Sequence, residues 1–127
     1  MRAIYLDSSI LLRWILDEPD AMPLIGQKGH FFSSELIALE CLRTLDRLRI
    51  LESPSDVMIQ LRSQNTRKIL SAITQIRVNS SVLVRASQPL TCALGSLDSI
   101  HLASALFLRE QYSELSFYTH DKQLGHA

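Results

Sequence analysis

Two aspartates in the sequence follow apolar runs that have the composition of buried β-strands. Asp7 comes directly after AIYL (residues 3–6), and Asp121 comes two residues after LSFYT (residues 115–119). A carboxylate in this position can cap the helix that follows, or several can together bind a hard cation such as Mg²⁺ through their oxygens. Each aspartate taken alone fits either role, but the repetition at two strand ends favours a shared site.

A third carboxylate, Glu40, lies within a long helical pattern. On a helical wheel it flanks the apolar face, whereas Glu35 falls on the polar side. A carboxylate that faces inward is costly unless it is paired or bound to a metal. The ordinary alternative is an ion pair with Arg43 three residues later, and one arginine can do both jobs. Glu40 is therefore a candidate site residue, with Arg43 as a supporting residue.

Asp98 and His101 share a helical segment that begins at Gly95 and Ser96. Acidic residues are common in the first turn of a helix because they interact favourably with its dipole, so Asp98 alone is weak support for a site. His101 lies one turn later and can pair with Asp98. A lone histidine in a helix more often packs or forms hydrogen bonds than binds a ligand, so we leave it out of the predicted metal site.

The overall composition limits the classes of function. A chain of 127 residues fits one domain with a real core, and 13 Lys and Arg balance 13 Asp and Glu. This neutral balance gives no general support for nucleic-acid binding, although a local basic strip is compatible with it. Cys41 and Cys92 form no CxxC pair, which argues against a zinc or redox motif, and Cys41 fits a core position. The low thiol count suits a reducing cytoplasm, where we expect the protein to act. No apolar run approaches the ~20 residues of a membrane span, so we expect no membrane segment.

The predicted elements alternate between strands and helices. Strands are predicted at 2–6, 30–34, 76–81 and 115–119. Helices are predicted at 9–16, 20–27, 34–51 (with Ser33 or Ser34 as N-cap), 56–76, 81–88 and 95–111. This order favours an α/β fold with a parallel sheet covered on both faces. Right-handed crossovers place all strand carboxyl ends at one edge, where such sheets bind ligands, so Asp7 and Asp121 are expected there.

Four segments, in this order and spacing, resemble a PIN-domain ribonuclease, and most closely the VapC toxins of bacterial type II toxin–antitoxin systems. They are YLDSSILLRWILDEPDA, SSELIALECLRTLDR, LDSIHLASAL and FYTHDKQL. Residues 54–90 match only in their helical character. The resemblance implies a single PIN-like domain over residues 1–127, with three α/β/α layers around a parallel sheet of about four strands. Because the sequence ends at Ala127, we expect the family's final edge strand either to be lost or to lie outside a shortened chain.

The resemblance also implies a set of site residues. The family's metal-binding and catalytic carboxylates carry over onto Asp7, Glu40, Asp98 and Asp121. Thr119 matches a hydroxyl residue that supports the family's site. We expect Asp7 and Asp98 to lie nearest the metal, with the other two acting partly through water.

A metal-dependent endoribonuclease follows from the resemblance as the expected function. It implies a Mg²⁺ or Mn²⁺ cofactor, RNA as substrate, and a small cognate antitoxin that blocks the site. We also expect a homodimer. Two alternatives stay open at this stage. One is a PIN nuclease of RNA maturation or decay without an antitoxin. The other is a catalytically inactive PIN-like binding module whose carboxylates only cap helices.

Overall fold

The computed structural model describes residues 2–16, 29–90 and 93–119. Within these ranges it contains four strands and five helices. In chain order they are β1 (Ala3–Leu6), α1 (Ser8–Ile15), β2 (His30–Ser34), α2 (Ile37–Glu52), α3 (Asp56–Ser71), β3 (Ile73–Ile76), α4 (Ser80–Ala86), α5 (Ser96–Arg109) and β4 (Ser116–Tyr118). None of these helices is long and apolar enough to cross a lipid bilayer.

The four strands form one parallel sheet in the order β3-β2-β1-β4. The central strand β1 is apolar and buried along its whole length, as expected for a strand covered on both faces. Its register pairs Tyr5 with Phe32 of β2 and Leu6 with Tyr118 of β4. The carboxyl ends of β1 and β4 therefore lie side by side.

Two hydrophobic clusters show how the layers are built. Side chains alternate along β1, so Ile4 and Leu6 face one side of the sheet and Tyr5 the other. The first side packs against α1, α2 and α3, and the second packs against Ala105 and Leu108 of α5. Helix α4 packs against α5. The predicted three-layer α/β/α fold with four parallel strands is confirmed.

The third strand lies where the sequence predicted the end of a helix. The helix predicted at 56–76 ends at Ser71, and Ile73–Ile76 pairs with β2 as β3. Ile69, Ile73 and Ile76 continue a helical spacing, which explains the wrong boundary. Strand pairing decides the conformation here, as it often does against a local pattern.

The strand predicted at 76–81 is also wrong beyond its first residue. Asn79 caps α4, because its side-chain oxygen accepts a hydrogen bond of 3.0 Å from the Val82 N–H. Polar residues that looked like a strand's end therefore begin a helix. This matches the known preference of asparagine for the N-cap position.

The predicted N-cap of the long helix needs a correction as well. Ser33 and Ser34 are both buried in β2, and α2 begins only at Ile37. Ser34 accepts a hydrogen bond of 3.2 Å from the Leu36 N–H in the intervening turn. Glu35 also lies in that turn rather than in α2. The predicted helix at 20–27 and the expectation about a final edge strand lie outside the described residues.

Candidate active site

Asp7 directly follows β1 and is the N-cap of α1. Its Oδ1 accepts hydrogen bonds from the Ser9 N–H at 3.1 Å, the Ser9 hydroxyl at 2.6 Å and the Ile10 N–H at 3.4 Å. Only 3% of the residue is exposed. The capping role considered from the sequence is therefore present. It fixes one carboxylate oxygen and leaves the other directed elsewhere.

The second oxygen of Asp7 meets Thr119 at the carboxyl end of the neighbouring strand. The pairing of Leu6 with Tyr118 places the next residues of β1 and β4 side by side, and the Asp7 N–H donates to the Tyr118 carbonyl at 3.4 Å. The Thr119 hydroxyl donates to Asp7 Oδ2 at 2.5 Å. The predicted supporting residue thus contacts the predicted metal ligand. Asp121, two residues further on, lies outside the described residues.

Glu40 is joined to Asp7 through a single residue. The Ser8 hydroxyl, which follows Asp7 in the chain, donates to Glu40 Oε2 at 3.1 Å. The Glu40 side chain is only 12% exposed, as its place on the helical wheel predicted. Arg43, considered as its ion-pair partner, instead contacts Asp46 at 3.4 Å. Glu40 therefore contacts the residue that directly follows Asp7, at the edge of the sheet where β1 ends.

His101 is a site residue that the sequence did not assign. Its Nε2 lies 2.6 Å from Glu40 Oε1, its Nδ1 lies 2.8 Å from the Tyr5 hydroxyl, and the side chain is 1% exposed. From the sequence we considered Asp98 as the partner of His101. The helical spacing could have identified His101, because it lies on the same face of α5 as Ala105 and Leu108, at positions i, i+4 and i+7. A histidine on a buried helix face needs hydrogen-bond partners for its ring nitrogens.

Asp98 lies in the first turn of α5 and is half-buried. His101, one turn later, contacts Glu40, and the neighbouring Leu97 lines the same groove as Ser8 and Glu40. The turn of α5 that carries Asp98 therefore lies next to Glu40. Its expected place nearest the metal stays a prediction.

The two carboxylates act on the same buried groups. Burial raises the pKa of the Cys41 thiol to about 12, and the charges of Glu40 and Asp7 add to the rise. Burial likewise raises the pKa of Tyr5, and both carboxylates add to the rise, whereas side-chain hydrogen bonding with Ser104 and Ser33 offsets part of it. Tyr5 and Cys41 lie on opposite faces of the sheet, so the negative charges of Asp7 and Glu40 act on groups on both faces.

A groove of about 580 Å³ opens beside Glu40 along α2. It combines polar and cationic side chains with an apolar wall. Its lining consists of Ser8, Glu40, Arg43, Thr44 and Arg47 together with Leu39, Ile50, Leu51 and Leu97. The carboxylate edge is thus continuous with a surface that carries two guanidinium groups.

The sequence was compared with models of known protein families to assign the chain to one of them. A sequence model of the PIN domain matches residues 4–127. The chain belongs to the PIN domain family. PIN domains are generally metal-dependent nucleases. No curated protein matches the chain.

The carboxylate oxygens of this PIN domain are suitable ligands for the divalent ions that PIN-domain nucleases typically use. Asp7 and Glu40 present hard carboxylate oxygens, each already oriented by a hydroxyl, from Thr119 and Ser8 respectively. Within residues 2–16, 29–90 and 93–119, no three Asp, Glu, His or Cys side chains come close enough to enclose a metal. Mg²⁺ does not need such a cage, because it is usually bound by one or two carboxylates and keeps several waters. Asp7 and Glu40 are two described carboxylates that could hold it in this way.

Proposed function

We propose that this PIN-domain protein is a Mg²⁺- or Mn²⁺-dependent endoribonuclease and the toxin of a type II toxin–antitoxin system. One observation carries the nuclease part. The buried Asp7 carboxylate, held by Thr119 across two strand ends, is linked through Ser8 to Glu40. Asp98 and Asp121 complete the proposed set of catalytic carboxylates.

The described side chains orient the carboxylates before any substrate arrives. Ser9 and Thr119 each hold one oxygen of Asp7, and Ser8 holds one oxygen of Glu40. A divalent ion held by these carboxylates would polarise a phosphoryl oxygen of the RNA and lower the pKa of a bound water. Hydrolysis by water, rather than attack by the ribose 2′-hydroxyl, leaves a 5′-phosphate and a 3′-hydroxyl.

The groove beside Glu40 is the proposed path of the RNA strand. Arg43 and Arg47 line it, and guanidinium groups bind phosphate oxygens in two-point contacts. The chain's formal net charge is +0, so attraction of RNA toward the acidic edge must be local. The two arginines next to the carboxylates meet that need.

The same groove suits an inhibitory antitoxin. Leu39, Ile50 and Leu51 of α2 are large, exposed and apolar beside Glu40. An amphipathic helix can lie on such a surface while an arginine at its tip enters the acidic edge. The apolar contacts are needed because an exposed ion pair contributes only ~1 kcal/mol or less. We therefore propose a small antitoxin with a helical tail that carries an arginine.

The proposal also covers assembly and location. Val57, Met58 and Leu61 leave an exposed apolar surface on α3, which supports self-association as a homodimer. We propose one domain over residues 1–127, acting in the cytoplasm.

RNA cleavage by the purified protein tests the nuclease part. Wild type should cleave RNA with Mg²⁺ or Mn²⁺ and stop in EDTA, and Asp7→Asn should abolish cleavage. Asp56→Asn is a matched control, because Asp56 is exposed in the first turn of α3 and does not line the groove. Metal-independent cleavage, or an active Asp7→Asn protein, would contradict the proposal.

Co-expression with the small protein encoded beside this gene tests the toxin part. The neighbour should co-purify and relieve growth arrest caused by wild type. A nuclease that is active in vitro but has no such partner would overturn the toxin assignment and leave the nuclease assignment intact.

A further inference from the structure

A series of hydrogen-bonded polar side chains, buried at Tyr5 and His101 and half-buried at Glu40 and Ser8, runs from the central strand to the carboxylate edge. The Tyr5 hydroxyl contacts His101 Nδ1 at 2.8 Å, His101 Nε2 contacts Glu40 Oε1 at 2.6 Å, and Ser8 donates to Glu40 Oε2 at 3.1 Å. The four residues come from β1, α5, α2 and α1. Three parts of the sequence that are distant from one another, the β1–α1 segment, α2 and α5, are therefore connected through the Glu40 carboxylate.

The donors and acceptors along this series fix which nitrogen of His101 carries a proton. A carboxylate only accepts hydrogen bonds, so Nε2 must donate to Glu40. Tyr5 stays protonated because burial raises its pKa. Its hydroxyl can therefore donate a hydrogen bond to His101 Nδ1. Tyr5 thereby favours the tautomer that serves Glu40.

The imidazole is held more firmly than the glutamate that it contacts. The Tyr5 and His101 rings meet edge to face, with centroids 5.8 Å apart. Tyr5 in turn stacks on Phe117 at 5.2 Å. Glu40 has an unbranched side chain with three rotatable torsions, and it lies on the part of α2 that borders the groove. Its two oxygens are therefore oriented by Ser8 on one side and, from the core, by His101 on the other.

We propose that His101 is a positioning residue, which orients the Glu40 carboxylate through its Nε2–H and is itself oriented by the Tyr5 hydroxyl. The inference rests on the proposed nuclease function for its effect on activity. Partners that orient metal-binding side chains typically contribute 10- to 100-fold in activity or metal affinity. His101→Leu should therefore lower kcat by roughly 10- to 100-fold. KM for RNA should stay near the wild-type value, because His101 contacts Glu40 rather than the substrate.

Three variants separate positioning from simple packing. His101→Gln should restore most of the kcat lost in His101→Leu, because a glutamine amide can donate from about the place of Nε2. Tyr5→Phe keeps the ring stacking and loses only the hydroxyl, so kcat should fall by roughly 2- to 10-fold. His30→Leu is the control, because His30 is exposed on β2 and should leave kcat unchanged.

The outcomes decide the inference whether or not His101→Leu folds. If it folds, a wild-type kcat, or a His101→Gln protein as impaired as His101→Leu, would overturn the positioning role. If it does not fold, Tyr5→Phe decides, and an unchanged kcat in that variant would overturn the role.

An NMR measurement separates this inference from the proposed function. The His101 side chain should show an Nε2-bound proton that exchanges slowly with water, and Glu40→Ala should remove that protection. A wild-type protein that shows this protected proton but has no ribonuclease activity would refute the proposed function and support the hydrogen bond. An Nε2 proton that exchanges as fast as that of His30 would refute the hydrogen bond itself.

Discussion

The hydrogen bond between Thr119 and Asp7 should contribute measurably to stability. Thr119→Val removes the hydroxyl that donates to Asp7 Oδ2 at 2.5 Å and nearly preserves the shape of the side chain. A hydrogen bond to a charged group contributes about 1.5–3 kcal/mol. Asp7 is only 3% exposed, so water cannot readily replace the lost donor. We therefore expect the upper part of that range, about 2–3 kcal/mol in the free energy of unfolding.

Urea unfolding at pH 7 in EDTA measures this loss without any metal contribution. A chain of this size should lose roughly 3–5 °C of Tm per kcal/mol, so thermal scans should show a decrease of roughly 6–15 °C. Thr119→Ser is the matched control, because it keeps the hydroxyl and should cost less than about 1 kcal/mol. A Thr119→Val protein within about 0.5 kcal/mol of wild type, the usual range for a surface substitution, would refute the role assigned to this bond.

Three further predictions address other parts of the site. Glu40→Gln should abolish RNA cleavage, whereas Glu35→Gln should leave it near normal, because glutamine can still accept the Val78 N–H; equal effects in a cleavage assay would contradict the site. Mass spectrometry should find a 5′-phosphate and a 3′-hydroxyl on the RNA products, and a 2′,3′-cyclic phosphate would rule out attack by water. Cys41 should resist iodoacetamide at pH 8 until the protein unfolds. Because burial raises its pKa from 9.0 to about 12, its contribution to stability is present below pH 9 and is lost as pH rises toward 12, so Cys41→Ala should make the alkaline fall in stability shallower.

The layered fold was predictable because its strongest local signals agree with its tertiary contacts. The apolar run of β1 ends at Asp7, and an amphipathic helix follows at once. The β3 strand was not predictable from periodicity, since Ile69, Ile73 and Ile76 suit a helix face as well as a buried strand. Only pairing with β2 distinguishes the two, and that pairing depends on residues about 40 positions away.

In the candidate site too, local features were predictable and contacts between distant residues were not. The helical wheel correctly placed Glu40 toward the interior, because that depends only on neighbours within the helix. Its actual partners, Ser8 and His101, lie 32 and 61 residues away in the sequence. Such contacts depend on how the helices cross and on side-chain rotamers, which a local pattern does not contain. Arg43 was the plausible local partner for that reason.

Binding of Mn²⁺ measured by isothermal titration calorimetry tests the proposed metal site most directly. Wild type and Asp46→Asn should bind the ion with the same affinity, since Asp46 contacts only surface arginines in the described structure. Asp7→Asn should lose most of that binding while remaining folded. A folded wild-type protein that gives no saturable heat, or an Asp7→Asn protein that binds as tightly as wild type, would contradict a metal site at Asp7 and Glu40.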